Sequence, residues 1–246
     1  MVVERQRAGR EPVVRAGLKM LDELGFDGLT LGAIARELNV RAPTLYWRFS
    51  SKQDLVDEMA TRVVADWLQA PALTDRGQGW RDWVMSFATS FRIALKAHRD
   101  GARLVAGTHM KDNVLLQPLE DALTLFSSAG IAVPDAVLCI KTIYDFVIGF
   151  TIEEQAIEPL GERDPRYSLE DRPARVGGGS FPLSIEAGPY LLDNFEKRFA
   201  DGICGFFQQP ICAICTRCRT RSWTSTKLQL VIEQSNFLFM FDSHTF

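Results

Sequence analysis

The chain has 246 residues, 46% hydrophobic and 24% charged, enough apolar side chain for a folded core with the polarity of a globular protein. No stretch reaches the apolar length of a membrane span, and the opening MVVERQRAGREPVV carries charge with no apolar run behind it, unlike a secretory leader. The five cysteines are an odd number crowded towards the end, which excludes a disulfide-stapled secreted scaffold, so a cytoplasmic protein is expected.

The net charge of −3 conceals a basic N-terminal region. Arg5, Arg7, Arg10, Arg15 and Lys19 lie in the first helix and its lead-in, and Arg36, Arg41, Arg48 and Lys52 in the stretch that follows. A locally basic face on an acidic chain fits a small DNA-reading head on a larger body. The first helix is expected from about Glu11 to Leu24, with Val14, Leu18, Leu21 and Leu24 at helical spacing and Gly25 as its stop.

The next stretch, LTLGAIARELNVRAPTLYWRFSSK, reads as two short helices around a tight turn. Thr30 is placed to cap the first, whose Leu31, Ile34, Ala35 and Leu38 form one apolar stripe. Asn39 tolerates the left-handed backbone of a corner, and Pro43 suits the first turn of the second helix. Leu45 and Phe49 give that helix a buried side and leave Thr44, Tyr46, Trp47 and Arg48 outside. This is the pattern of a helix-turn-helix with its second helix shaped for a major groove. Periodicity alone is equally compatible with an ordinary helical hairpin.

Ser51 to Asp54 resembles a capping box that opens a fourth helix, with Leu55, Val56, Met59, Val63, Trp67 and Leu68 as apolar contacts up to Pro71. After a Gly/Pro/Asp-rich loop, a helix is expected over Trp80–Ala97, broken by His98-Arg-Asp-Gly101. A short helix at Ala102–Gly107 and another at Leu115–Ala129, stopped by Gly130, precede a long helix from Pro134 to about Glu154. That long helix is apolar nearly all round, which implies burial on more than one side and suggests a subunit partner. Ile157 to Gly188 reads as a linker, and Tyr190–Phe207 as a last amphipathic helix with Leu192, Phe195, Phe199, Ile203 and Phe206 on one stripe. Residues 1–207 read as all-α.

From Gln208 the chain is Cys-rich and then strand-like, and a disordered or misread tail is expected there. Cys212, Cys215 and Cys218 offer three thiols with His244 far away, short of the four spaced ligands of a convincing zinc site. The expected organisation is a DNA-binding domain over residues 1–52, a linker helix over 53–70, a ligand and dimerisation domain over 71–207, and the atypical tail over 208–246.

APTLYWRFSSKQDLVDEMA, with TLYWRF at its centre, resembles the recognition and linker helices of the TetR family of one-component transcriptional repressors. GWRDWVMSFATSFRIALKAHRDGARLVAGTHM, the helix ending GFTIEEQ and the run NFEKRFADGI look like the body of the family's tetracycline-repressor branch. The likeness spans about residues 8 to 207. It implies an all-α homodimer paired through its long and last helices, a double-stranded DNA operator in the form of a pseudo-palindrome, and a small-molecule inducer that swings the fourth helix.

Carried over by position, the resemblance implies that Arg41, Ala42, Pro43 and Thr44 face bases, and that Tyr46, Trp47 and Lys52 hold phosphates. Arg48 stands where the family contacts base or backbone, and Thr30 caps near a phosphate. Gly32 replaces a base-reading Arg of the tetracycline branch and cannot make its bidentate contact to guanine, so a different operator is expected.

In the pocket, Val105 stands where that branch has its magnesium-ligating imidazole, and Leu68 and Phe87 where it has a His and an Asn. Ala122 replaces a Gln, and His109-Met110 an Arg-Pro pair, while Phe91, Thr108 and Glu153 are retained. Leu119, Val137, Ile140 and Tyr144 add apolar and aromatic wall. A hard cation gains little from such a set, so a mostly apolar aromatic or polycyclic inducer is expected, with no metal and no cofactor.

Three other readings stand beside this one. The first is a tetracycline-type resistance repressor with a modified pocket, and the second a cavity simply filled by its larger side chains. The third is an enzyme or metal protein using the Cys-rich tail. No nucleophile–base spacing supports an enzyme among His98, His109 and His244, and Gly177 to Gly179 lie in the linker rather than in a phosphate loop.

Overall fold

The computed structural model describes residues 9–69, 73, 79–111 and 113–208, and among these every regular element is helical. The Cys-rich segment with Cys212, Cys215, Cys218 and His244, the strand-like end, the basic lead-in with Arg5 and Arg7, and most of the 71–79 loop lie outside the described residues. One compact unit extends to Gly205; of the second, which starts at Phe206, only the end of the last helix is described.

Helix α1 (Arg10–Gly28) turns at Gly25, whose φ of 73° is open to glycine without a Cβ penalty. Its buried face is Val13, Val14, Ala16, Gly17, Met20 and Leu21. The expected stripe is therefore corrected: Leu18 is half-buried and Leu24 is exposed, because the helix packs through its small residues against α4. Gly17 shows how close that packing is, since a Cβ there would meet the Met59 sulfur at 2.8 Å.

Thr30 accepts from Ala33 N and caps α2 (Leu31–Glu37). Asn39 takes φ 52° at the corner, and α3 (Ala42–Tyr46) starts with Pro43 in its first turn. Leu45 and Phe49 are fully buried, and Phe49 N donates to Leu45 O, adding a turn beyond the helix.

Ser51 accepts from Asp54 N to cap α4 (Lys52–Leu68), while the Asp54 carboxylate accepts from Ser50 N rather than from the cap residue itself. Helix α4 packs on α1 of the head, and on α5 (Trp80–Lys96) and α6 (Gly101–Val105) of the body.

At the α5–α6 corner Asp100 takes φ 55°, and a Cβ on Gly101 would lie 2.1 Å from Leu95 O, so only glycine fits. α7 (Leu116–Ser128) ends before Gly130 at φ 78°. α8 (Val133–Ile157) is the central body helix, against α5, α6 and α7.

Two expectations are corrected after α8. The 157–188 segment carries short helical turns, including α9 (Arg172–Arg175) and α10 (Pro182–Glu186), with Arg163 bonded to Glu158 and Asp193. The last helix is not continuous from Tyr190: α11 (Gly188–Leu192) ends at extended Asp193, Asn194 turns at φ 56°, and α12 (Phe195–Gln208) begins. Tyr190 is consequently exposed, while Phe195, Phe199 and Ile203 are buried.

An ion-pair network buried at Arg92 and Glu154, with Glu196 exposed, joins α5, α8 and α12. Arg92 forks onto both Glu154 oxygens at 2.7 Å and onto Glu196 at 2.8 and 2.9 Å, with its guanidinium 4.8 Å from the Phe199 ring centre. Burial works to lower the Arg92 pKa, but the hydrogen bonds to the two glutamates outweigh it and hold it above its ordinary value.

Candidate nucleic-acid interface and ligand cavity

The head presents its polar groups from one short helix. Trp47 is 91% exposed and Tyr46 59%, although both are large aromatic side chains that a monomeric core would bury. Arg41 is exposed, Ala42, Thr44 and Arg48 are half-buried, and Pro43 is exposed at the start of α3. Among the described residues Arg41, Tyr46, Trp47 and Arg48 make no side-chain hydrogen bond or ion pair. Gly32 is exposed with open space around it.

The cations of α1 are used differently. Arg10 pairs with Glu58 and Asp54, Arg15 with Glu11, and Lys19 with Glu37 and Glu23. The expected basic crowd therefore divides: the α1 cations pair with carboxylates of α1, α2 and α4, and Arg36, Arg41 and Arg48 are left without such pairs among the described residues. Lys52 is intermediate, with Nζ 3.3 Å from Phe26 O and 5.1 Å from the centre of the Phe26 ring.

Between α4, α5, α7 and α8 the side chains line a cavity of about 760 Å³ that is open on one side to solvent through exposed Leu119, Thr124 and Val137. Leu68, Phe87, Phe91, Thr108, Met110, Leu119, Ala122, Val137, Ile140 and Tyr144 line it. Three positions carried over from the resemblance do not. Val105 is fully buried at the end of α6, which packs against α4, α5 and α8. His109 is exposed, although its neighbours Thr108 and Met110 face the cavity. Glu153 is also exposed, because one residue is about 100° of helical rotation and it is Glu154 that turns inward, onto Arg92.

Sequence reasoning missed Trp67 and Trp83 as wall residues, and with them the aromatic character of the site. Trp67 lies 5.1 Å edge-on to Phe87 and 4.5 Å from Phe91, Trp83 5.1 Å from Phe87, and Phe91 stacks on Tyr144 at 5.4 Å. Its spacing marks Trp67 only as one of the apolar contacts of α4. Only its position beside Leu68 and one turn after Val64, on a helix also facing α5, signals the second role. Lys141 and Asp121 are the charged groups on the wall; Lys141 pairs with Asp145, and Asp121 accepts from Gln117.

Two links tie the cavity's surroundings to the head. Lys111, next to cavity-lining Met110, donates from its backbone N to Thr61 at 2.9 Å and from Nζ to Asp54 near the start of α4. Hydrogen bonding from Lys111 overcomes the desolvation of Asp54 and holds its carboxyl below the usual range. At the other end, Asp100 accepts from Phe26 N at 2.8 Å, and Asp22 accepts from Arg99 N at 3.0 Å and contacts His98.

This fold has known relatives. Residues 13–59 match the model of bacterial regulatory proteins of the tetR family, and residues 72–204 match the tetracyclin repressor-like C-terminal domain. The chain belongs to the TetR family of transcriptional regulators. The class A tetracycline repressor of Escherichia coli is 38% identical over 197 residues, covering 76% of this chain and 89% of its own. A possible TetR family regulator from Streptomyces coelicolor A3(2) has a TM-score of 0.71 at 31% identity, covering 81% of this chain and 97% of that one. A TetR variant from Acinetobacter baumannii AYE in complex with minocycline has a TM-score of 0.60 at 27% identity, over 82% and 98% of the two chains.

Proposed function

We propose that the protein is a homodimeric repressor that releases its operator when a mostly apolar, aromatic or polycyclic inducer fills the cavity without magnesium. The observation that carries this reading is the wall itself. Trp67, Trp83, Phe87, Phe91 and Tyr144 give it flat aromatic surface, and Leu68, Leu119, Ala122, Val137 and Ile140 give it aliphatic surface. Such a site gains about 25 cal/mol per Å² of apolar ligand surface buried, before the costs of binding. A tetracycline's keto-enol oxygens and metal would meet few partners there: Val105 and Glu153 stand off the wall, and Asp121 is its one carboxylate among the described residues.

On the DNA side, Arg41, Ala42, Pro43 and Thr44 are assigned to base edges, Tyr46, Trp47 and Lys52 to phosphates, and Arg48 to a base or backbone contact. Thr30 orients α2 beside a phosphate. Dimerisation through α8 and α12 sets two heads on a pseudo-palindrome with half-sites one helical turn, about 34–36 Å, or slightly more apart. Ligand binding shifts Thr108 and Met110, and Lys111 passes that shift to α4 through Asp54 and Thr61.

The names of the relatives favour a second reading, in which the drug is a tetracycline held in a modified way. Calorimetry separates the two. Binding of an apolar ring compound with no change on adding chelator supports the proposal. Tight tetracycline binding that requires magnesium overturns it in favour of the second reading.

A further inference from the structure

We propose that the ligand carries a keto or quinone oxygen, and that the Tyr144 hydroxyl reads it by donating a hydrogen bond. This deepens the ligand reading above and rests on it.

Several donors on the cavity wall already have partners. Trp67 Nε1 donates to Ser90 Oγ at 3.0 Å. Thr108 Oγ1 donates to Leu104 O at 2.6 Å, and Ser128 Oγ to Thr124 O at 2.8 Å. The Lys141 ammonium is paired with Asp145 one turn on, and Thr124 is exposed to water. Two wall residues differ: Trp83 and Tyr144 are both half-buried, and among the described residues neither the Trp83 indole N–H nor the Tyr144 hydroxyl makes a hydrogen bond; of the two, Tyr144 carries the hydroxyl, on a ring stacked against Phe91.

The phenol is also fixed and kept neutral. Its ring stacks on Phe91 with 22° between the planes, and the Lys141 ammonium lies 4.8 Å from the ring centre. Burial, with the Asp145 charge behind it, raises its pKa above the ordinary tyrosine value, so the proton stays on the oxygen at neutral pH. A fixed neutral donor among aromatic walls, left without a partner, favours a ligand acceptor over a purely hydrocarbon edge. A flat polycycle stacked along Trp67, Phe87 and Phe91 and bearing a ring carbonyl meets both demands.

The test is calorimetric titration of the full-length protein and its Tyr144→Phe variant with anthraquinone-2-sulfonate and anthracene-2-sulfonate. The two probes share a ring system and a solubilising group and differ in the two keto oxygens. The wild type is expected to bind the quinone about three- to tenfold more tightly than the hydrocarbon. Tyr144→Phe is expected to bring that ratio to about one by weakening the quinone alone, with the anthracene affinity reporting an intact cavity. A ratio that survives the substitution, or an equal loss for both probes, overturns the proposal while leaving the ring-ligand reading in place. Failure of both probes to bind the wild type overturns both.

Discussion

The side chains proposed to meet DNA come from a single run, Arg41 to Arg48, in and around α3, whereas the cavity wall draws on residues from Val64 to Tyr144 in four helices and the segments between them. In the head, polar and aromatic groups stand in water without partners; in the body, the polar groups around the cavity are mostly bonded to one another. The difference follows from what each region has to meet. A phosphate backbone supplies charge and donors' partners from outside, so free side chains are useful there. A cavity walled mainly by packed apolar side chains must satisfy most of its polar groups before any ligand arrives, so a donor left over becomes informative.

The contrast can be broken from the body first. Arg92→Ala leaves Glu154 buried with Lys96 as its remaining cation, and is expected to cost about 4 kcal/mol in urea unfolding of the body. Leu45→Ala opens a cavity beneath α3; a loss of about 3 kcal/mol in the head is expected, abolishing operator binding while calorimetric ligand binding persists. Phe87→Asn buries an amide in the aromatic wall, and about tenfold weaker ring-ligand binding is expected, with operator affinity in the absence of ligand unchanged in a mobility shift.

The smaller effects sharpen the comparison. Lys52→Ala is expected to weaken all operator sequences alike and to lower the slope of log affinity against log salt by about one unit, measured by fluorescence anisotropy. Asp54 gives a pH signature. Its folded pKa lies below the ordinary carboxylate value, so its stabilising contribution is present above the unfolded pKa and is lost as pH falls through the folded one. Acid melts of wild type are therefore expected to lose more stability below the ordinary carboxylate range than those of Lys111→Met, in which Asp54 lacks that partner.

The head was legible because its instructions are local. Gly25, Asn39 and Pro43 mark corners by their own backbone preferences, and the spacing of Leu31, Ile34, Ala35, Leu45 and Phe49 places the core. The cavity was only partly legible. Periodicity says that Trp67 or Trp83 turns inward, but not whether core or empty space lies there. Glu153 and Glu154 show the limit most clearly: adjacent, chemically identical residues divide into an exposed group and the anchor of a buried network. The break at Asn194 depended on one residue adopting a left-handed turn inside an otherwise helical pattern, and the stripe from Leu192 to Phe206 masked it.

The coupling of these two regions is tested most directly by operator release. The full-length protein is bound to a labelled fragment of its own upstream DNA and titrated with anthraquinone-2-sulfonate, with and without EDTA, and in parallel with tetracycline and magnesium. Release by the quinone at the same concentration in both buffers, with tetracycline and magnesium ineffective over that range, is the expected result. Release by tetracycline that EDTA abolishes, with the quinone inert, would contradict it.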